Sequence, residues 1–527
     1  MKQLTRLLTV LILLTEILLP AGAAQASAGF QTGRMDAAAQ VQKTLSEMTT
    51  AEKVGQLFLV SFKGTDVSDV SQIYDLISNS HIGGVILSAA NDNFTSGDDS
   101  AAATKQMIES LQSINWNPVV SQKGTAAASA GYVPLLVGIS QEGNGNPYDQ
   151  ILTGMTKLPD EMAIGATWNT ENARSVGNVL GQELSALGIN LLLGPSLDVL
   201  SSVTSAGGQD IGVQAFGGDP YWVSEMGKAY ITGIHEGSNN RIATIAKNFP
   251  GSGSSDRPLG AEVGTVRKSL EDMIKTDLAP FTAVTGNAVD PLEVTDGLLI
   301  SHIRYEGLQG NIRASTRPVS FDNAAVNEIM ALPDFSDWRS QGGLLISDDL
   351  GAPAVRNFFN PTGTSFDARQ VIKNAFMAGS DLLYLGDIQS SDDPDQFTTI
   401  KRTLEYFVQK YNEDPSFSEQ VDQSVGRILA LKQKLYPQFS LSTVIPFNDQ
   451  LSLLGKSDSV ALNVARESVT LISPSKTELD SVITNPPQRS ERILFIADTV
   501  TDKQCSTCAD MVKKEHGKKG MPATVPR

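Results

Sequence analysis

The chain has 527 residues, 41% of them hydrophobic, with 45 glycines and a formal net charge of −17. That length holds a large α/β core, or two or three domains of roughly 150 residues, although a single barrel takes ~250 or more. The acidic balance excludes a nucleic-acid partner, which demands a basic surface, and leaves a protein acting on neutral or cationic material.

Residues 1–26 read as a targeting segment: Lys2 and Arg6 give a positive start, 7–19 an apolar middle, and Ala24-Gln25-Ala26 a small-residue cleavage site. Export is the expectation. No later stretch approaches the ~18 uninterrupted apolar residues of a membrane span. Near the other end, Cys505 and Cys508 form a lone C-x-x-C with His516 as the sole nearby extra ligand, which in an exported chain reads as a local disulfide rather than zinc.

Between these ends one pattern repeats. A helical spacing at 36–48 is followed by an apolar strand candidate at 54–60, and further strand candidates lie at 84–87, 134–139, 190–193, 242–246, 297–303, 343–346 and 381–385. Helical stretches at 170–187, 221–236, 269–285, 367–378 and 394–411 separate them. Strands alternating with helices mean parallel crossovers, and this number of them predicts a (β/α)₈ barrel over 36–435; a doubly wound open sheet is the competing architecture. A polar insertion at 88–132 with a helix at 101–114 reads as a surface elaboration, and a helix at 416–435 closes the unit. Residues 436–455 read as a linker. A helix at 458–471 and a strand at 493–497 then predict the start of a second α/β unit, or a partial tail, over 456–527.

The chemistry gathers where the strands end. The run 343–346 stops abruptly at Ser347-Asp348-Asp349, placing Asp348 at the carboxyl end of a strand, the edge at which α/β barrels build their sites; the competing role is an N-cap for the next helix. Ser140-Gln141-Glu142, Asp198, Lys247-Asn248 and His302 follow other strands in the same way, so a barrel turns all of them into one mouth. Carboxylates in a polar cleft are what glycosidic cleavage needs, one group protonating the leaving oxygen and another attacking the anomeric carbon. A lysine beside the attacking group favours its ionised form. Nothing in the pattern calls for a metal or an organic cofactor.

Lys247-Asn248-Phe249-Pro250-Gly251-Ser252-Gly253 resembles the Lys-His-Phe-Pro-Gly-His-Gly motif of glycoside hydrolase family 3. Gly83 to Leu87, Gln141-Glu142-Gly143, Leu197-Asp198-Val199, Phe216-Gly217-Gly218-Asp219-Pro220, Ile300 to Ile303 and Ser347 to Leu350 match further landmarks of that family in order. So do Val425 to Leu429 and Ala465 to Leu471, and the branch most similar is that of the β-N-acetylhexosaminidases. The resemblance implies a retaining double displacement with Asp348 as nucleophile and Lys247 on sugar hydroxyls. Against the family pattern Ser140 stands for an Asp, Gln214 for an Arg and Asn248 for a His. The loop 254–258 carries no His, which leaves Asp256 as its acidic residue for the acid/base role. The expectation is a secreted β-glycosidase acting on amino-sugar oligosaccharides or cell-wall fragments, with Ser140, Asp198, Gln214, Lys247, Asn248 and His302 around the sugar. The competing reading is a barrel with impaired catalysis that binds glycans or a partner protein.

Overall fold

The computed structural model describes residues 37–482 except 96, 98, 122–130, 144, 146–148, 202–211, 472, 474 and 476. The targeting segment, Cys505, Cys508, His516 and the strand expected at 493–497 lie outside the described residues.

Eight parallel strands form the centre: β1 (Phe58–Ser61), β2 (Gly84–Ile86), β3 (Leu136–Ile139), β4 (Leu191–Ser196), β5 (Ala243–Phe249), β7 (Gly297–Ile300), β9 (Leu344–Ser347) and β10 (Leu383–Leu385). They pair in the order β10-β1-β2-β3-β4-β5-β7-β9. The remaining seam closes through a parallel bridge between Ile346 and Leu382, with Ser347 N donating to Leu382 O at 2.9 Å and Leu350 N to Tyr384 O at 3.0 Å. The sheet is therefore a barrel of the α/β class, as the alternation of elements predicts. Its strands are nearly continuous apolar runs because one face fills the barrel and the other lies under helices.

The helices start and stop where local chemistry dictates. Thr170–Leu187 is capped by Asn169, whose side chain accepts from Glu171 N, and ends at Gly188 in a left-handed conformation with φ 90°. It lies against Pro220–Gly237, capped by Asp219 with proline in its first turn. The two backbones approach so closely that a Cβ on Gly181 would stand 2.4 Å from Ile234 O.

Several boundaries differ from expectation. The helix Thr50–Gln56, with a Thr49/Glu52 capping box, takes the first part of the apolar run at 54–60. The run at 297–303 divides into β7 and β8 (Ile303–Tyr305), and β8 pairs with β6 (Gly264–Val266) as a small parallel sheet outside the barrel. The helix expected at 269–285 is two, Leu270–Lys275 and Ala279–Ala283; the one expected to reach 471 ends at Glu467. The stretch 436–455 runs along the barrel wall, burying Tyr436, Val444 and Leu454, and Gly455 N donates to Glu183 Oε1 at 2.9 Å.

The helix Pro415–Leu435 crosses the base of the barrel. Along it, Arg427 reaches Asp381 below β10, Lys432 reaches Gly83 O below β2, and Lys434 reaches Asp296 below β7. Tyr436, just beyond it, accepts from Asn190 below β4. The base is shut and the carboxyl-end mouth is left for chemistry. Among the described residues no helix is long and apolar enough to cross a membrane.

Candidate active site

Asp348 leaves β9 half-buried, its backbone N donating to Ile300 O at 3.1 Å and its Oδ1 accepting from Asp349 N at 2.8 Å. One carboxylate oxygen thus fastens the turn and the side chain stays at the rim. Asp349 is spent on structure: its Oδ1 accepts from Gly351 N (2.8 Å) and Gly386 N (2.9 Å), and burial, reinforced by the Asp348 charge, pushes its carboxyl up to about 6.

Lys247 rises from β5 toward the same mouth. Its Nζ donates to Ser140 Oγ at 3.2 Å and forms an ion pair with Glu142, while Ser140 Oγ donates to Glu142 Oε1 at 2.7 Å. Ser140 and Glu142 lie two residues apart after β3 and meet on one side of the chain. Their loop is shaped by Asp149, whose carboxylate accepts from Glu142 N (3.0 Å), Gly143 N (2.7 Å) and Gly145 N (2.9 Å). Burial pushes the Lys247 ammonium down to about 8, and the Asp348 carboxylate pulls it back up.

Asp198, fully buried at the end of β4, serves the loop after β5. Its Oδ2 accepts from Asn248 Nδ2 (2.6 Å) and Ser196 Oγ (3.2 Å), and its Oδ1 from the amide and hydroxyl of Ser252. Burial raises its pKa and these bonds oppose the rise. Asn248 is oriented by that contact, so the two residues enter the site as a unit.

His302 is buried beside Phe321, the rings stacked at 5.5 Å. Its Nδ1 is 2.8 Å from Ser320 Oγ and its Nε2 3.0 Å from Asp349 O; with a carbonyl facing Nε2, the tautomer these partners assign carries its proton there. Burial depresses its pKa, against the pull of Asp348. The ring therefore steadies the Asp348-Asp349 turn from behind.

Gln214 is half-buried in the turn before Phe216, next to Val213, whose carbonyl accepts from Met162 N at 3.0 Å. Asp256 stands apart, on the loop that pairs with β6: its Oδ1 accepts from Thr265 N at 2.7 Å and its Oδ2 lies 3.6 Å from Arg267, with 42% of the side chain exposed. Asp348, Lys247 and His302 are brought together, Ser140 joins through Lys247, and Asp198 with Asn248 stands behind the β5 loop.

Two contributors escape a sequence reading. Tyr384, in the middle of β10, has its hydroxyl pKa raised by burial and by the charges of Asp349 and Asp348, which sets it beside that turn. A polar-tipped residue inside an apolar three-residue strand is the signal that marks it. Glu161, buried at the start of Glu161–Ala166, accepts from Ser196 N at 3.0 Å and is held well above the usual carboxyl range by burial and by Asp198 and Asp160.

The sequence pattern of the Glycosyl hydrolase family 3 N terminal domain matches residues 49–431, more than half of the chain and the whole of the barrel's strand region. The chain belongs to glycoside hydrolase family 3. Within that family it is 27% identical over 446 residues to the β-N-acetylglucosaminidase/β-glucosidase of Cellulomonas fimi, covering 83% of this chain and 67% of that one. It is 25% identical over 420 residues to β-hexosaminidase A of Pseudoalteromonas piscicida, covering 76% and 63%. The chain thus spans about two thirds of the length of these relatives. A solved family 3 β-N-acetylglucosaminidase from Paenibacillus sp. str. FPU-7 superposes with a TM-score of 0.67 at 22% identity, over 91% of this chain and 80% of that one, a likeness of fold.

Proposed function

We propose that the protein is an exported retaining β-glycosidase of β-N-acetylhexosaminidase type, acting on amino-sugar oligosaccharides or cell-wall fragments, with Asp348 as its nucleophile. One observation carries the reading: a rim carboxylate, half-buried and free of any ion pair among the described residues, whose charge acts on a half-buried lysine. An ionised Asp348 Oδ attacks the anomeric carbon as the glycosidic C–O bond breaks and the leaving oxygen takes a proton, giving a glycosyl ester. Water then adds to that carbon from the side opposite the ester, giving its proton to the group that had protonated the leaving oxygen, and the Asp348 carboxylate departs. The Lys247 ammonium stabilises the carboxylate before and after the ester stage.

Asp256 stands apart from Asp348 with its Oδ2 3.6 Å from Arg267; as the acidic residue of this loop it is assigned the leaving-group proton as a role to be tested. On that assignment Asp256→Asn slows glycosides with poor leaving groups by roughly 10²–10⁴ and leaves activated aryl glycosides nearly untouched. Equal rates for both substrate types against wild type remove Asp256 from the role. Export implies a processed chain beginning at Ser27, which amino-terminal sequencing of the secreted protein reads directly.

The deciding experiment uses an activated aryl β-N-acetylglucosaminide beside a panel of other aryl glycosides, with wild type and Asp348→Asn. Turnover lost in the variant, and a 2-fluoro glycosyl label on the peptide carrying Asp348, support the reading. Turnover on no sugar above the variant replaces it with glycan or partner binding.

A further inference from the structure

Glu142 holds more than a structural acid requires. It is 5% exposed, its Oε1 is shared between Ser140 and Lys247, and its Oε2 is buried with no partner among the described residues. A carboxylate kept out of water with one oxygen unsatisfied is costly unless its charge is used nearby. The use is Lys247, which comes from β5, two strands away, so the pair spans the mouth across β4.

Two carboxylates therefore act on one ammonium: Glu142 from the β3 loop and Asp348 from β9. The other ionisable groups around the site are turned elsewhere. Asp198 faces Asn248, Ser196 and Ser252, Asp349 faces backbone amides, His302 faces Ser320 and a carbonyl, and Tyr384 is a neutral phenol. Resting on the double displacement proposed above, this division has a consequence. When Asp348 forms its ester it loses its charge, and Glu142 is then the carboxylate left against Lys247.

We propose that Glu142 is a positioning residue that keeps Lys247 charged and fixed through the glycosyl-ester stage, so that a cation is in place when the Asp348 carboxylate departs. Burial alone disfavours that cation.

The test compares wild type with Glu142→Gln, which keeps shape and removes charge, and Glu142→Asp, which keeps charge. With an activated aryl glycoside, kcat reports breakdown of the ester and kcat/KM its formation. Glu142→Gln is expected to lower kcat roughly tenfold or more while kcat/KM falls less, and to move the basic limb of the kcat profile down by about one pH unit or more. Glu142→Asp restores both in part. Equal falls in kcat and kcat/KM with unmoved limbs, or no rescue by Asp, overturn the proposal.

A second readout is independent of turnover: the pKa of Lys247, followed by NMR of ¹³C-methylated lysines assigned with Lys247→Arg. It is expected to fall by about one unit or more in Glu142→Gln, and an unchanged value overturns the proposal. If that pKa falls while no label reaches Asp348 in wild type, the charge coupling stands and the double displacement fails.

Discussion

The two ends of the barrel treat charge in opposite ways. At the base, Asp381 accepts from Arg339, Arg427 (Nε 3.0 Å, Nη2 2.8 Å), Ser424 Oγ (2.9 Å) and Leu345 N (2.9 Å). Asp296 accepts from Lys434 (2.6 Å), Thr244 N (3.0 Å) and His235 (3.2 Å). Among the described residues, Ser61 Oγ, Glu142 Oε2, Glu161 Oε2, Ser254 Oγ and Ser301 Oγ are buried without partners at the mouth, against Ser380 Oγ at the base. A satisfied network stabilises, whereas unsatisfied groups cost stability and are retained where they act on something else. The base is where the molecule is held together, and the mouth is where stability is given up for chemistry.

The sharpest way to break this contrast is to exchange the consequences. Asp348→Asn is expected to lower kcat on an activated aryl glycoside by roughly 10³–10⁶ with the urea midpoint within error of wild type. Asp381→Ala should do the reverse. Leaving Arg339 and Arg427 without their carboxylate costs about 3–5 kcal/mol of stability, while the folded fraction keeps its kcat. A stability loss in the first variant, or a catalytic loss per folded molecule in the second, would dissolve the distinction.

Lys432 sharpens it further. Its Nζ donates to Gln56 Oε1 (2.6 Å) and Gly83 O (2.9 Å), and burial pushes it down to about 7. A base whose folded pKa lies below its ordinary 10.5 binds fewer protons folded than unfolded between those values, so its cost is full below pH 7 and relieved as pH rises. Stability of wild type relative to Lys432→Met is therefore expected to rise by about 2 kcal/mol from pH 6.5 to 9 in urea titrations.

Asp296 has the opposite sign, and its pH dependence lies on the acid side of neutrality. Against its burial, the Lys434 ammonium and the hydrogen bond with His235 hold its carboxyl below the ordinary 3.8, so its contribution is present above about pH 4 and is lost on further acidification. Asp296→Asn should unfold with a shallower acid slope than wild type below that pH.

Much of the barrel was legible because its signals are local. Apolar runs bounded by Gly mark the strands, and Asn169 with Gly188 brackets one helix at both ends. Asp348 and Lys247 could be found for the same reason, as polar residues at or just after the apolar run of a strand. The pairing of Glu142 with Lys247 joins positions separated by 105 residues, and no spacing rule reaches that far. The β6–β8 sheet rests on strands of three residues, too short to show a period. His302 reads as a wall residue or a ligand equally well until Ser320 and Phe321 are beside it. Pro415–Leu435 has an ordinary amphipathic pattern, and that it lies under the barrel rather than around it depends on partners below three strands.

That crossing helix also sets an order of events during synthesis. Domains emerging from the ribosome fold from the amino terminus, and Gly83 O, Asp296 and Asp381 have partners in Leu136 N, Thr244 N and Arg339 before Lys432, Lys434 and Arg427, which leave the exit tunnel after every barrel strand, add theirs. A chain that ends short of residue 427 lacks these three donors, so the base it forms is held by fewer of the bonds that fasten the complete barrel.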